Sequence, residues 1–261
     1  MIGVFDSGLG GLTVASEIFR QLPGRRVVYF GDIARTPYGT KSRDLVRRYA
    51  QQDAEFLLSK GAKIIVVACN TVSAHGVEML RQNFDIPIFE VVMPAVRRAA
   101  SVTRGRVGVI GTRGTISSGI YERKMLQLSP QVRINSVACP LFVPLVEEGW
   151  IGHSETLSIA KEYLHPLRLA RIDTLILGCT HYPFLRSVIR QAIGGQVKLV
   201  DPAQDTVAEL VDYLAHNPGL DAAVRTPGQH EFYVSDRTEH FVEMAKEWLG
   251  TEVVVQAATA G

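Results

Sequence analysis

The chain has 261 residues, 46% of them hydrophobic and 21% charged, which is enough apolar material for one large or two small globular domains and argues against disorder. A net charge of +2 is too close to zero to suggest nucleic acid or an anionic membrane as partner, and the basic pairs Arg47-Arg48 and Arg97-Arg98 fall in amphipathic stretches that read as solvated helix faces. Met1 runs directly into a strand-like IGVF with no signal-peptide pattern, and no apolar run approaches the ~20 residues of a membrane helix, so a cytoplasmic protein is expected. Three cysteines, an odd number, make no disulfide framework and fit a reducing compartment.

In chain order, short β-branched runs alternate with amphipathic stretches. Strands are expected at 2–5, 27–30, 64–68, 88–92, 107–110, 132–138, 174–178 and 197–200. Helices are expected near 11–22, 42–59, 72–82, 94–103, 115–128, 155–170, 184–193 and 206–216, and a strand near 231–235 and a helix near 237–249 close the chain. This order predicts an α/β fold with mainly parallel sheets and right-handed crossovers. The chain also looks duplicated. IGVFDSGLGGLTV at 2–14 resembles VGVIGTRGTISSG at 107–119, and IIVVACNT at 64–71 resembles DTLILGCTH at 173–181. The expected architecture is therefore two pseudo-symmetric α/β domains, residues 1–95 plus 207–261 and residues 96–206, with the active site in the cleft between them.

Ligands of open α/β sheets sit beyond the carboxyl ends of the strands. Four polar groups occupy such ends here: Asp6-Ser7, Cys69-Asn70-Thr71, Gly111-Thr112 and Cys179-Thr180-His181. The helices that follow would turn unpaired N–H groups inward, an environment that favours an anion and a thiolate. A cysteine at a strand end is by itself more often a small buried hydrophobe, which is the reading kept for Cys139. The Gly-rich DSGLGGLT matches neither the dinucleotide fingerprint nor a P-loop nor the hydrolase nucleophile elbow, and Ser7 could instead cap the following helix. Cys179-x-His181 with Cys69 would give three soft metal ligands, but the paired spacing of a structural zinc site is missing, and no metal is expected. The loop GDIARTPYGTKS at 31–42 has the punctuation of a functional loop with Ser42 as helix cap, and of Glu147 and Glu148 one could be a cleft carboxylate.

Two thiols on opposite sides of one bound molecule could invert a carbon stereocentre, one thiolate removing a proton while the opposing thiol supplies another. Asp6 could serve Cys69 as proton partner, and His181 could serve Cys179. At these same residues the sequence resembles the glutamate racemases of the aspartate/glutamate racemase superfamily: FDSGLGGLTV, GDIARTPYGTKS, VVACNTVSA, GVIGT, CPLFVPLVEEG, LGCTHYP and VDPA occur in that family's order, from residue 2 to about 206. CNT together with GCTHYP favours the glutamate branch over the aspartate and hydantoin branches. The resemblance implies a cofactor-independent enzyme that interconverts L- and D-glutamate and supplies D-glutamate to peptidoglycan. It implies Cys69 and Cys179 as acid/base catalysts, assisted by Asp6, His181 and Glu147. It implies substrate contacts at Asp6, Ser7, Tyr38, Gly39, Asn70, Thr71, Thr112, Thr180 and His181. Many members form homodimers, so a homodimer is expected. A racemase of aspartate or another small acid, and a non-catalytic α/β module that binds a small anion, stay open as alternatives.

Overall fold

The residues IGVFD at Ile2–Asp6, VVYFG at Val27–Gly31 and IIVV at Ile64–Val67 are buried throughout, as parallel strands covered by helices on both faces must be. In a computed structural model, which describes residues 1–225 and 228–260, they form the centre of a six-stranded sheet. In chain order the strands are β1 (Ile2–Asp6), β2 (Val27–Gly31), β3 (Ile64–Val67), β4 (Ile88–Glu90), β5 (Arg106–Gly111), β6 (Arg133–Ala138), β7 (Thr174–Gly178), β8 (Lys198–Val200), β9 (Glu231–Val234) and β10 (Val255–Ala257). The first sheet has the order β10-β9-β2-β1-β3-β4, the second β6-β5-β7-β8, and every pairing is parallel.

The segment β2-β1-β3-β4 repeats as β6-β5-β7-β8, so the duplication expected from two short sequence matches extends to the whole strand order. β3 is the equivalent of β7, and each lies beside the strand that opens its half.

Alternation along the strands divides the core of each sheet into two layers. In the first sheet, Val4, Tyr29 and Val66 pack with the helices Leu12–Gln21, Pro202–His216 and Glu239–Leu249. Phe5, Phe30 and Val67 face the other way, onto the helix Arg43–Ser59 through Val46, Ala50 and Leu57. In the second sheet, Leu175 and Leu177 pack on the helices Ser154–Leu169 and Arg186–Ile193, while Val107, Val109 and Ile176 pack on Val92–Val102 and Ile120–Leu128.

The boundaries expected at 95/96 and 206/207 both fall inside helices. Val92–Val102 packs on the second sheet through Val92, Val96 and Ala99, and Pro202–His216 on the first through Ala203, Val207 and Leu210. We propose that the divisions lie just before these helices. Asp201 fixes the start of the second one by accepting a bond from Ala203 N (3.2 Å), with Pro202 in the first turn, four residues earlier than expected.

Other differences have local causes. The helix expected at 72–82 is two, Asn70–His75 and Val77–Asn83, parted at Gly76, and that at 115–128 is parted at Gly119, whose φ of +62° suits glycine. Phe142–Glu147, Pro218–Val224 and β10 were not expected, the first two because proline and glycine give them the look of turns. No helix among the described residues is long and apolar enough to cross a membrane.

Candidate active site

β1 ends at Asp6, which is 1% exposed, and its carboxylate turns back into the glycine-rich bend, where Oδ2 accepts bonds from Gly8 N (3.2 Å) and Gly11 N (3.1 Å). The glycines are there for close approach. A Cβ at Gly11 would stand 2.4 Å from Asp6 Cβ, and one at Gly10 would stand 2.2 Å from Thr180 Oγ1 and 2.6 Å from His181 Nδ1. The bend after β1 therefore lies directly on the tip of β7, in the other half. Ser7 does not cap the next helix, which begins at Leu12 behind Gly11 with no side-chain cap. Its Oγ instead lies 3.6 Å from Cys69 Sγ and accepts the S–H.

Cys69 follows β3 at the N-cap of Asn70–His75 and is buried. Burial, and then the neighbouring Asp6 charge, push its thiol up to about 12, although the backbone N–H groups of Val72 and Thr71 and the Ser7 hydroxyl pull the other way. This corrects the expectation that the helix start would favour the thiolate: a short helix offers two N–H bonds, and desolvation outweighs them. Burial likewise raises the Asp6 pKa, opposed by His181 and by its backbone donors. Next to Cys69, Asn70 Oδ1 accepts from the Tyr121 hydroxyl (2.6 Å), while Asn70 Nδ2 and Asp6 Oδ1 are buried without a hydrogen-bond partner.

The two halves also meet at hydroxyls. Thr71 Oγ1 lies 3.0 Å from Thr112 Oγ1 and 3.3 Å from Thr115 Oγ1, and the latter two are 3.1 Å apart. Thr112 caps Arg113–Ser117 by accepting from Thr115 N (3.2 Å). Gly39 rests on Thr112, where a Cβ would come within 2.6 Å of Thr112 Cβ. Tyr38 beside it gives its hydroxyl to two buried carboxylates, Asp32 and Asp53 (3.0 Å to Asp53 Oδ2), so anything it offers a ligand comes from its backbone. Arg35 bonds both carboxylates, at 2.5 Å to Asp32 and 2.9 Å to Asp53, and its guanidinium lies 4.3 Å from the centre of the Tyr49 ring. Burial, and then Asp32, hold the Asp53 carboxyl well above its ordinary range. This cluster pins the loop that carries Gly39, and the sequence alone gave no sign of Asp53, which sits mid-helix in Arg43–Ser59.

Cys179 follows β7 and belongs to a chain of polar groups. Its Sγ lies 3.8 Å from His181 Nδ1, and His181 Nε2 is 2.9 Å from Glu147 Oε1. Burial opposes charging of His181, but the bonds to Cys179 and Glu147 prevail and raise its pKa to about 10. Glu147 is the last residue of Phe142–Glu147 and its side chain is 33% exposed, whereas Glu148 points to solvent. Gly149, with φ of +71°, turns the chain away just beyond them. Trp248, from the closing helix, stacks on Phe184 (3.8 Å between centroids) and sets its ring edge-on to His181 (6.0 Å). Nothing in the sequence marked that reach.

Thr180 lies in the same wall, its carbonyl 3.4 Å from Thr13 Oγ1. Cys139 is fully buried among Phe142, Tyr182 and other apolar side chains, and burial raises its thiol pKa. Among the described residues no group of three or more His, Cys, Asp or Glu side chains is placed to hold a metal ion. The cavity bordered by Asn70, Cys179 and Thr180 amounts to about 10 Å³, room for roughly one water.

Known proteins resemble this chain over nearly its whole length. Residues 2–210 match the Asp/Glu/Hydantoin racemase family. A glutamate racemase of Geobacter metallireducens is 49% identical over 250 residues, covering 95% of this chain and 92% of that protein. The structure of a glutamate racemase isoform from Bacillus anthracis superposes with a TM-score of 0.94 at 40% identity, covering 99% of this chain and 97% of that one. A glutamate racemase from Francisella tularensis, solved in complex with D-glutamate, gives 0.92 at 36% identity, covering 99% and 97%. With four-fifths of its length inside the family pattern and near-complete relatives above 40% identity, this chain belongs to the Asp/Glu/hydantoin racemase family.

Proposed function

We propose that this chain interconverts L- and D-glutamate without a cofactor, by passing a proton through the α-carbon between Cys69 and Cys179. The observation that carries the proposal is the equivalence of β3 and β7: each ends in a buried cysteine, and each cysteine has a different acidic or basic neighbour. In one direction the Cys69 thiolate takes the α-proton of D-glutamate and the Cys179 thiol protonates the opposite face, leaving L-glutamate, a Cys69 thiol and a Cys179 thiolate. The reverse reaction exchanges the roles. Asp6 serves as proton partner of Cys69, and His181, held by Glu147, serves Cys179.

The orphaned polar atoms suit an α-amino acid. Asn70 Nδ2, a buried donor, complements a carboxylate, and Asp6 Oδ1, a buried acceptor, complements an ammonium. Each unmade bond costs on the order of 1–3 kcal/mol, which a ligand that satisfies it returns. An ammonium beside Asp6 also adds positive charge near Cys69 and favours the thiolate that burial disfavours. Ser7, Thr71, Thr112, Thr180 and His181 supply the other side-chain contacts, and Tyr38 and Gly39 supply backbone. Because these side chains are largely buried, substrate entry requires the two halves to part and product release requires them to part again.

The D-glutamate formed would feed peptidoglycan synthesis, in the cytoplasm, from a homodimer. Pure protein given either enantiomer should bring circular dichroism to zero at the same final mixture, with a chelator and without added pyridoxal phosphate. Aspartate should turn over at least tenfold more slowly. An aspartate rate equal to the glutamate rate would move the assignment to another branch of the family, and no loss of rotation with glutamate would end it.

A further inference from the structure

We propose that Tyr121 is a positioning residue for the substrate: its hydroxyl turns the Asn70 amide so that Nδ2 faces a carboxylate of the bound amino acid. That the ligand is glutamate rests on the racemase reading above; the orientation of the amide does not. Tyr121 is 2% exposed and lies in the first turn of the helix Ile120–Leu128, which packs on the second sheet. Its ring rests on the end of β7, where a Cβ at Gly178, the residue before Cys179, would stand 3.1 Å from Tyr121 Cε2. From there the hydroxyl reaches into the first half and donates to Asn70 Oδ1 (2.6 Å), next to Cys69. One side chain thus touches the chain neighbours of both sulfurs.

The proton of that bond belongs to the phenol. Burial, and then the Glu90 and Cys179 charges, hold Tyr121 well above its ordinary range, so it stays a donor. Glu90 does not compete for it, because its two oxygens accept from Val92 N (2.6 Å) and Met93 N (2.9 Å). Among the described residues the hydroxyl has no hydrogen-bond partner other than Asn70. A carboxamide carries its oxygen and its nitrogen on one trigonal carbon, so with the oxygen taken by the phenol the nitrogen points away from it. Asn70 is 3% exposed, and its Nδ2 is buried there without a partner. The reversed amide would leave the Tyr121 proton buried with no acceptor, which is destabilising.

The two side chains belong to different halves. Asn70 opens the helix that follows β3, and Tyr121 comes from a helix on the second sheet. When the halves part, the amide loses the group that orients it, and closure restores it. The donor for the carboxylate is therefore completed by closure and is not carried ready-made on either half.

The test compares KM and kcat for both glutamate enantiomers in Tyr121→Phe, Asn70→Ala and the double variant. Tyr121→Phe keeps the ring and should raise KM about fivefold to tenfold with kcat within about threefold, the pattern of lost binding rather than lost chemistry. In the Asn70→Ala background the same change should alter KM by less than about twofold, because the hydroxyl has nothing left to orient. A KM within about twofold of the parent in Tyr121→Phe, a fall in kcat larger than the rise in KM, or an equal rise in both backgrounds would overturn the proposal. Asn70→Asp gives a second reading that does not depend on Tyr121→Phe folding: it keeps an oxygen for the phenol and removes the donor, so KM should rise at least about tenfold. A KM at or below the parent's in Asn70→Asp would mean that Oδ1 meets the ligand, and would also overturn the proposal. Far-ultraviolet circular dichroism of each variant establishes that the comparison is made between folded proteins. A parent that does not turn over glutamate would end the racemase reading and the ligand assigned with it, whereas the other failures occur with an active parent.

Discussion

Cys69 and Cys179 stand after equivalent strands, yet they are served differently. Cys69 has an acid beside it, a hydroxyl at 3.6 Å and two N–H donors, and burial keeps it a thiol up to about 12. Cys179 has a histidine at 3.8 Å that is itself held at 2.9 Å by a glutamate one-third exposed and walled by Trp248. A duplicated backbone thus placed two like nucleophiles, and packing then gave one an anionic neighbour and the other a cationic one. The lesson is that strand equivalence fixes where the sulfurs are, while the loops decide which polar groups each sulfur faces.

The comparison is broken most severely by removing either sulfur. Cys69→Ala and Cys179→Ala should each lower kcat/KM by about 10³-fold or more, the scale of losing a positioned acid or base, with the melting curve little changed. Activity above a tenth of the parent in either variant would contradict the roles assigned. The asymmetry should appear in His181→Asn, with a loss of about 10²-fold. Since the two enantiomers are equal in energy, kcat/KM must fall alike in both directions. The difference is expected in the α-deuterium isotope effect, which should rise more for L-glutamate, the substrate of Cys179, and more for D-glutamate in Asp6→Asn.

Gly10→Ala tests how closely the halves meet. Its Cβ would stand 2.2 Å from Thr180 Oγ1, so backbone or side chain must shift, at about 1–3 kcal/mol of stability, with lower activity. The charge on His181 has a signature in stability. Its folded pKa of about 10 exceeds the ordinary 6.5, so its contribution is complete below about pH 6.5 and is lost as pH rises through about 10. Tm should therefore fall between pH 7 and 9 in the parent and fall less in His181→Asn. The ordinary thiol value of 9.0 keeps Cys69, raised to about 12, largely out of that window. Glu147→Gln should have the smallest effect, about tenfold on kcat, because water reaches this carboxylate, with the pH limb assigned to His181 moved downward.

Much of this could be read from residues. β1, β3 and β7, and β5 after its exposed Arg106, are short buried runs that read as strands, and the polar groups at their ends announce a ligand site. Motif resemblance supplied Glu147, which pattern alone could not tell from Glu148. What escaped depends on packing between distant segments. Asp53 looks like any polar residue of an amphipathic helix until Tyr38 and Arg35 fold onto it. Trp248 lies 67 residues from His181 in sequence, and only the return of the closing helix brings them together. The thiol pKa of Cys69 was misjudged because the helix start is visible in sequence and desolvation is not.

The central claim is that two different sulfurs handle the two faces of one carbon. The most direct measurement is racemisation of each enantiomer in deuterated water, stopped at a few per cent conversion, with isotope content determined separately in substrate and product. Deuterium in essentially every product molecule, with the recovered substrate still carrying its original hydrogen, is the predicted result from both directions. Product that retains the substrate's own α-hydrogen would mean that one base serves both faces, and would contradict the account.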